Sequence, residues 1–206
     1  MKLNLIVLLL SSVICLSLRA NIPENLDEKT PVIVYLAGGI KKDSDKTNEL
    51  YWSQQDIDEI RRGLNKFEVV FLNPAAPVQD SSNTRAIFGR DMHYVSSSTI
   101  VFVDARDRRG LGVGAEMMWA KVHKIPVVTW SPKNSHYNRV QKSLPDGSEK
   151  SMVHPFVSEL SDHVADNLNE AIVWIAQYLS NPKAFSIKDT TSIDSSIEYY
   201  KACSTS

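Results

Sequence analysis

Along the chain, Val32-Ile-Val-Tyr-Leu-Ala37, Glu68-Val-Val-Phe-Leu72, Thr99-Ile-Val-Phe-Val-Asp104 and Pro126-Val-Val-Thr-Trp130 are apolar almost without interruption. A strand with one wet face alternates apolar and polar positions. Continuous apolar runs of this length predict parallel strands covered on both sides. Between them, residues 48 to 65, 84 to 97, 112 to 123 and 160 to 180 carry helix-period patterns. The rhythm predicts an α/β fold, a doubly wound parallel sheet of four to five strands with helices on both faces, spanning residues 31 to 180. The Pro, Asn, Gly, Ser and Lys content of Ser131 to Ser151 reads as a long loop after the fourth strand. Residues 181 to 206, rich in Ser, Thr and Asp, read as a flexible polar tail.

The opening residues follow a different pattern. Met1-Lys2 precedes an almost wholly apolar run, Leu3 to Leu18, which gives way to Arg19-Ala20 and a polar stretch. This is the layout of a secretory signal peptide over residues 1 to 20, cleaved after Ser17 or Ala20. An uncleaved anchor is the alternative, although a comfortable bilayer span needs about 20 apolar residues. The expected location is therefore outside the cell or in the secretory-pathway lumen, with no stable membrane span once the signal is removed. Of 206 residues, 23 are Lys or Arg and 24 are Asp or Glu. Losing Lys2 and Arg19 leaves 21 basic against 24 acidic side chains, a formal charge of −3. Mixed charge of this kind lacks the basic excess of a nucleic-acid binder, so the expected partner is a small molecule. Cys15 leaves with the signal and Cys203 remains alone, which excludes an intramolecular disulfide.

In open parallel sheets, ligands bind beyond the carboxyl ends of the strands, where strand order reverses. In a flavodoxin-like sheet ordered 2-1-3-4, that point lies between the loop after the first strand, with Gly38 and Gly39, and the loop after the third, which runs from Asp104 to Gly110, Gly112 and Gly114. Glycines there let the backbone approach a ligand closely, and the helix that follows presents its N-terminal amides. The full dinucleotide fingerprint belongs after the first strand, so this spacing is not that site. Glu116 follows Gly114 by two positions, ahead of Met117-Met118-Trp119-Ala120. A carboxylate in such apolar surroundings is costly unless it caps the helix, is paired, or is used. Asp91 lies four residues from both Ile87 and Val95, on the apolar face of its helix, where it is either a partner for Arg90 or a neighbouring helix, or part of a site. Two converging carboxylates suit displacement at an anomeric carbon, where one attacks and the other handles a proton or orients the sugar. Tyr35 either supplies a phenol hydrogen bond to one of them or simply packs on the sheet. Trp52, beside Tyr51, is either core or a cover for a flat ligand. Arg106, Arg108 and Arg109 either bind a phosphate or solvate a loop. The five histidines fall at no metal-ligand spacing, and there is neither a P-loop nor a Gly-x-Ser-x-Gly elbow.

Tyr35-Leu-Ala-Gly-Gly39, Phe71-Leu-Asn-Pro74, Asp91 with the following Ser-Ser-Ser-Thr-Ile-Val-Phe-Val-Asp104, Leu111-Gly-Val-Gly-Ala-Glu116 and Lys124-Ile-Pro-Val-Val128 together resemble the nucleoside 2-deoxyribosyltransferase family. The superfamily includes the deoxynucleoside 5′-monophosphate N-glycosidases, whose glycine-Glu loop is especially similar. The resemblance covers residues 32 to about 130. It implies a catalytic Glu116 that forms a glycosyl ester at C1′, with Asp91 assisting proton transfer or placing the sugar, and Tyr35 holding the carboxylate. Gly38, Gly39, Asp104, Gly110, Gly112 and Gly114 would line the substrate site. No cofactor or metal is implied, and the substrate would be a nucleoside or nucleotide. Subunits of the family often complete each other's sites, which implies a homo-oligomer. Gly110 stands where the transferases carry an Asp and the monophosphate hydrolases a phosphate-binding Ser, which leaves the phosphate state open. A non-catalytic module binding a nucleotide-derived ligand on the same fold is the alternative.

Overall fold

The computed structural model describes residues 30–39, 51–75, 82–142 and 149–204. The signal peptide expected over residues 1 to 20 lies outside the described residues. In chain order the elements are β1 (Val32–Ala37), α1 (Gln54–Gly63), β2 (Val69–Leu72), α2 (Thr84–Ser96), β3 (Ile100–Asp104), α3 (Leu111–Val122), β4 (Val127–Trp130), β5 (Asn138–Lys142), β6 (Glu149–Val153), α4 (Pro155–Leu160), β7 (His163–Ala165), α5 (Leu168–Ser180) and α6 (Thr190–Ser204), with a 3₁₀ turn at Pro182–Ala184. Five strands form one parallel sheet in the order β2-β1-β3-β4-β7, the doubly wound arrangement the apolar runs predict. All five residues of β3 are buried, which explains why its sequence does not alternate.

Side-chain alternation divides the core into two layers. Val32, Val34, Leu36, Ile100, Phe102 and Val128 point to the layer covered by α1 and α5. Tyr35, Ala37, Val101, Val103 and Val127 point to the other, covered by α2, α3 and α4. Among the described residues no helix is long and apolar enough to cross a membrane.

The structure departs from the sequence expectations in four places. First, α1 starts at Gln54 rather than residue 48, because Ser53 and Asp56 form a reciprocal capping box. Second, the stretch expected as a loop pairs as the antiparallel hairpin β5–β6, from Asn138 opposite Val153 to Lys142 opposite Glu149; its polar residues carry no apolar period to announce it. Third, the helix expected over residues 160 to 180 is interrupted by β7, where Asp162 fastens the chain beside β4. Asp162 Oδ2 accepts from Val127 N at 2.7 Å, and Asp162 N donates to Val127 O at 2.8 Å. Helix α5 then restarts behind Asn167, whose side chain accepts from Glu170 N.

Last, residues 181 to 204, read from composition as a tail, carry a 3₁₀ turn and the helix α6. Phe185 packs edge-on against Trp174 at 5.2 Å, in a group where Trp174 stacks between His163 and Tyr178. Lys188 N donates to Asp162 Oδ1 at 2.7 Å, and Asp189 accepts from Thr191 N at the start of α6. A few anchoring side chains supply what mean hydropathy does not register.

Candidate active site

Tyr35, the fourth residue of β1, points into the α2–α3 layer and is fully buried. Glu116 sits on the inner face of α3 at 8% exposure, one turn from Gly112, where an added Cβ would lie 3.9 Å from Glu116 Oε1. Asp91 approaches from α2, held by Arg90, whose Nη2 and Nε lie 2.8 and 2.9 Å from Asp91 Oδ1. Arg90 in turn donates to the carbonyl of Pro74 at 2.8 Å. Trp119 Nε1 donates to the Met92 carbonyl at 3.1 Å, pinning α3 to α2 beside Asp91. The structure therefore brings Tyr35, Asp91, Glu116 and Gly112 together.

These groups interact electrically. Burial, reinforced by the negative charge of Asp91 and opposed by the Tyr35 hydroxyl, pushes the Glu116 carboxyl up from 4.5 to about 7. Burial and the adjacent Glu116 carboxylate drive the Tyr35 phenol well above its ordinary range. The phenol faces the carboxylate closely enough to favour its ionised form. Even so, Tyr35 Oη and Glu116 Oε2 are buried polar atoms with no partner at full hydrogen-bond geometry. Folded proteins rarely leave such atoms unsatisfied, and where they do the site is commonly functional.

The other expected site residues have the following surroundings. Asp104 is wholly buried and surrounded by donors: Arg106 Nε at 2.9 Å and Arg106 N at 3.1 Å on Oδ1, and Arg109 Nη2 at 2.8 Å on Oδ2. Both of its carboxylate oxygens are thus paired with arginines of the chain itself. Arg106 and Arg109 are committed to this cluster, whereas Arg108 is exposed. Gly38 and Gly39 leave room for aromatic side chains: a Cβ at Gly38 would lie 3.1 Å from Trp52 Nε1, and one at Gly39 would lie 3.1 Å from Tyr51 Cε1. Trp52 donates to Ala37 O at 3.0 Å and meets Phe102 edge-on at 4.9 Å. It is half-buried and packs against the core of the α1–α5 layer, with Tyr51 and Trp52 together lying beside the two glycines.

Gly110 is the N-cap of α3 and makes no side-chain cap bond. A good cap contributes about 1 kcal/mol, and each helical Gly costs about 1 kcal/mol relative to Ala. With Gly112 and Gly114 inside its first turns, α3 begins weakly by its own chemistry. Gly110 and Gly114 border a cavity of about 220 Å³ lined also by Val113 and Met117 of α3 and by Tyr137 and His154. Tyr137 and His154 meet edge to face at 5.6 Å. Glu116 does not line this cavity. Its remaining wall comes from Tyr137 and His154, which flank the hairpin, and from α4, segments whose sequence gives no sign of a pocket.

No family model matches the chain, and no curated protein matches it. Among solved structures it is similar to a 2-deoxyribosyltransferase from the psychrotolerant bacterium Bacillus psychrosaccharolyticus, at 12% identity and a TM-score of 0.47 over 77% of this chain and 98% of that one. It is also similar to the CMP N-glycosidase of Clostridium botulinum, at 12% identity and a TM-score of 0.37 over 69% of this chain and 97% of that one. Likeness this distant assigns neither an activity nor a site to this chain.

Proposed function

We propose that the protein cleaves or exchanges the N-glycosidic bond of a nucleoside or its monophosphate. The observation that carries this reading is the buried meeting of Tyr35, Asp91 and Glu116, with Glu116 Oε2 unpartnered. In the proposed step a Glu116 oxygen attacks C1′, the bond from C1′ to the base nitrogen breaks, and its electron pair leaves with the base, which takes up a proton. Asp91, set by Arg90, assists that proton transfer or fixes the sugar. The desolvated carboxylate stabilises the oxocarbenium-like charge developing beside it, and Tyr35 donates to the oxygen that does not attack. Water or a second base then displaces Glu116 and completes hydrolysis or transfer. The leader at residues 1 to 20 supports a secreted site of action.

Incubation with a panel of deoxynucleosides and their 5′-monophosphates, with and without a second base, is expected to release or exchange the base. Glu116 must be ionised to attack. Below its value of about 7, kcat/KM should therefore rise roughly tenfold per pH unit and then level off. Tight binding without turnover across the panel would instead mark a ligand-binding module.

A homo-oligomer is part of the proposal. Leu111, Ala115, Met118 and Val122 recur along α3 at coiled-coil spacing and face outward, with Leu111 96%, Met118 39% and Val122 44% exposed. A second copy would cover this stripe. Sedimentation velocity should show a dimer or larger species, and Met118→Glu with Val122→Glu should leave monomers. A monomeric parent would remove this part of the proposal.

A further inference from the structure

We infer that Asp104 is a positioning residue, a buried carboxylate that holds the entry of α3, and with it Glu116, against the segment following β1. The inference rests on Glu116 being the reacting carboxylate. Asp104 lies at the end of β3, and its two oxygens bind two arginines that reach in different directions. Arg106 extends to Tyr51 O and to Asp56 Oδ2, each at 3.0 Å, joining the cluster to the N-terminus of α1. It also lies over the Trp130 ring at 3.9 Å, at the end of β4. Arg109 immediately precedes the N-cap of α3. Its Nε donates to Asp104 O, and its backbone N donates to Tyr137 Oη at 2.9 Å.

One carboxylate thus joins four parts of the switch-point crevice: the segment after β1, the start of α1, the end of β4 and the entry of α3. The last of these needs such support most. Gly110 offers no cap bond, and the first turns of α3 carry two further glycines. What fixes the start of that helix is Arg109, and what fixes Arg109 is Asp104. Glu116 follows within two turns, so its placement depends on the clamp although Asp104 itself touches no substrate. An effect confined to stability would follow if the cluster only filled space. Its two long-range arms end instead on the elements that carry the crevice.

The test is amide hydrogen exchange on the full chain carrying Asp104→Asn. Arg109→Gln serves as the second variant, because it leaves the pair between Asp104 and Arg106 intact. Protection at Ala115 to Met117 is expected to fall about tenfold or more, while that of Ile175 to Leu179 in α5, in the opposite layer, stays unchanged. A loss equal in both helices, or none in α3, would overturn the inference and leave Asp104 as ordinary structure. With an active parent, kcat should drop about 100-fold with KM little altered, the signature of misplacement, and Asp104→Glu should restore part of it. If the parent turns over no nucleoside, the function proposed above fails while the exchange result still stands or falls alone.

Discussion

Glu116→Gln is expected to fold, to lose turnover by on the order of 10⁴-fold, and to be more stable than the parent at pH 8. The loss follows because a neutral amide cannot form the glycosyl ester. The gain in stability follows from linkage. The carboxyl titrates near 4.5 when unperturbed and about 7 in the folded chain, so the folded state holds the proton more tightly than the unfolded one. For an acid shifted upward, stability is greatest below the unfolded value, declines as pH rises between the two, and stays low above the folded value. A shift of this size corresponds to roughly 3 kcal/mol. The uncharged amide escapes that cost, which in a chain of this size raises Tm by roughly 6 to 10 °C at pH 8. Near pH 4.5 the two proteins should melt together. Melting curves at both pH values and an activity assay check all three statements. Retained turnover would remove Glu116 as nucleophile, and a less stable variant at pH 8 would mean that its carboxylate is already satisfied.

Asp162→Ala should destabilise the fold by about 3 to 5 kcal/mol, the cost of leaving one member of a buried ion pair alone. The Lys121 and Asp162 side chains are each 1% exposed and paired with each other. Burial pushes the Lys121 amine below its ordinary value, and the Asp162 carboxylate opposes that shift. Without Asp162, the amine keeps, among the described residues, only the Ile125 carbonyl at 3.2 Å, and Val127 N and Lys188 N lose their acceptor. Lys121→Met with Asp162→Asn removes both charges while preserving volume, and should cost much less than Asp162→Ala alone. Urea unfolding of parent, single and double variants gives the comparison. A double variant as unstable as Asp162→Ala would mean that packing, rather than the unpaired charge, sets the cost. Lys121 lies five residues beyond Glu116, so this pair secures the far end of the helix whose entry Asp104 holds.

The sheet was legible because β1, β3 and β4 are covered on both faces, and that environment demands apolar residues at nearly every position. Helices α2 and α3 were legible by their period, to within about one residue at either end. The hairpin and β7 were not. Neither has an apolar period, and β7 exists because one carboxylate, Asp162, meets partners 35 residues upstream and 26 downstream. The meeting of Tyr35, Asp91 and Glu116 could be anticipated from three local signals: a strand ending in glycines, an acid on an apolar helix face and an acid following a glycine run. Gly38, Gly39 and Asp104, expected as substrate-lining residues, show the limit: a sequence shows that space or charge is present but not which of the chain's own side chains lie beside it. Here Tyr51 and Trp52 take the space, and Arg106 and Arg109 take the charge.

By itself, then, the sequence determined the parallel sheet, its two helical layers and which carboxylates stand near the switch point, because burial and periodicity act over a few neighbouring residues. Only the tertiary structure decided which of those polar groups are satisfied. Hydrogen bonds and ion pairs are made between residues tens of positions apart, so one buried carboxylate, Asp104, is fully paired while another, Glu116, keeps an oxygen, Oε2, without a full hydrogen bond among the described residues.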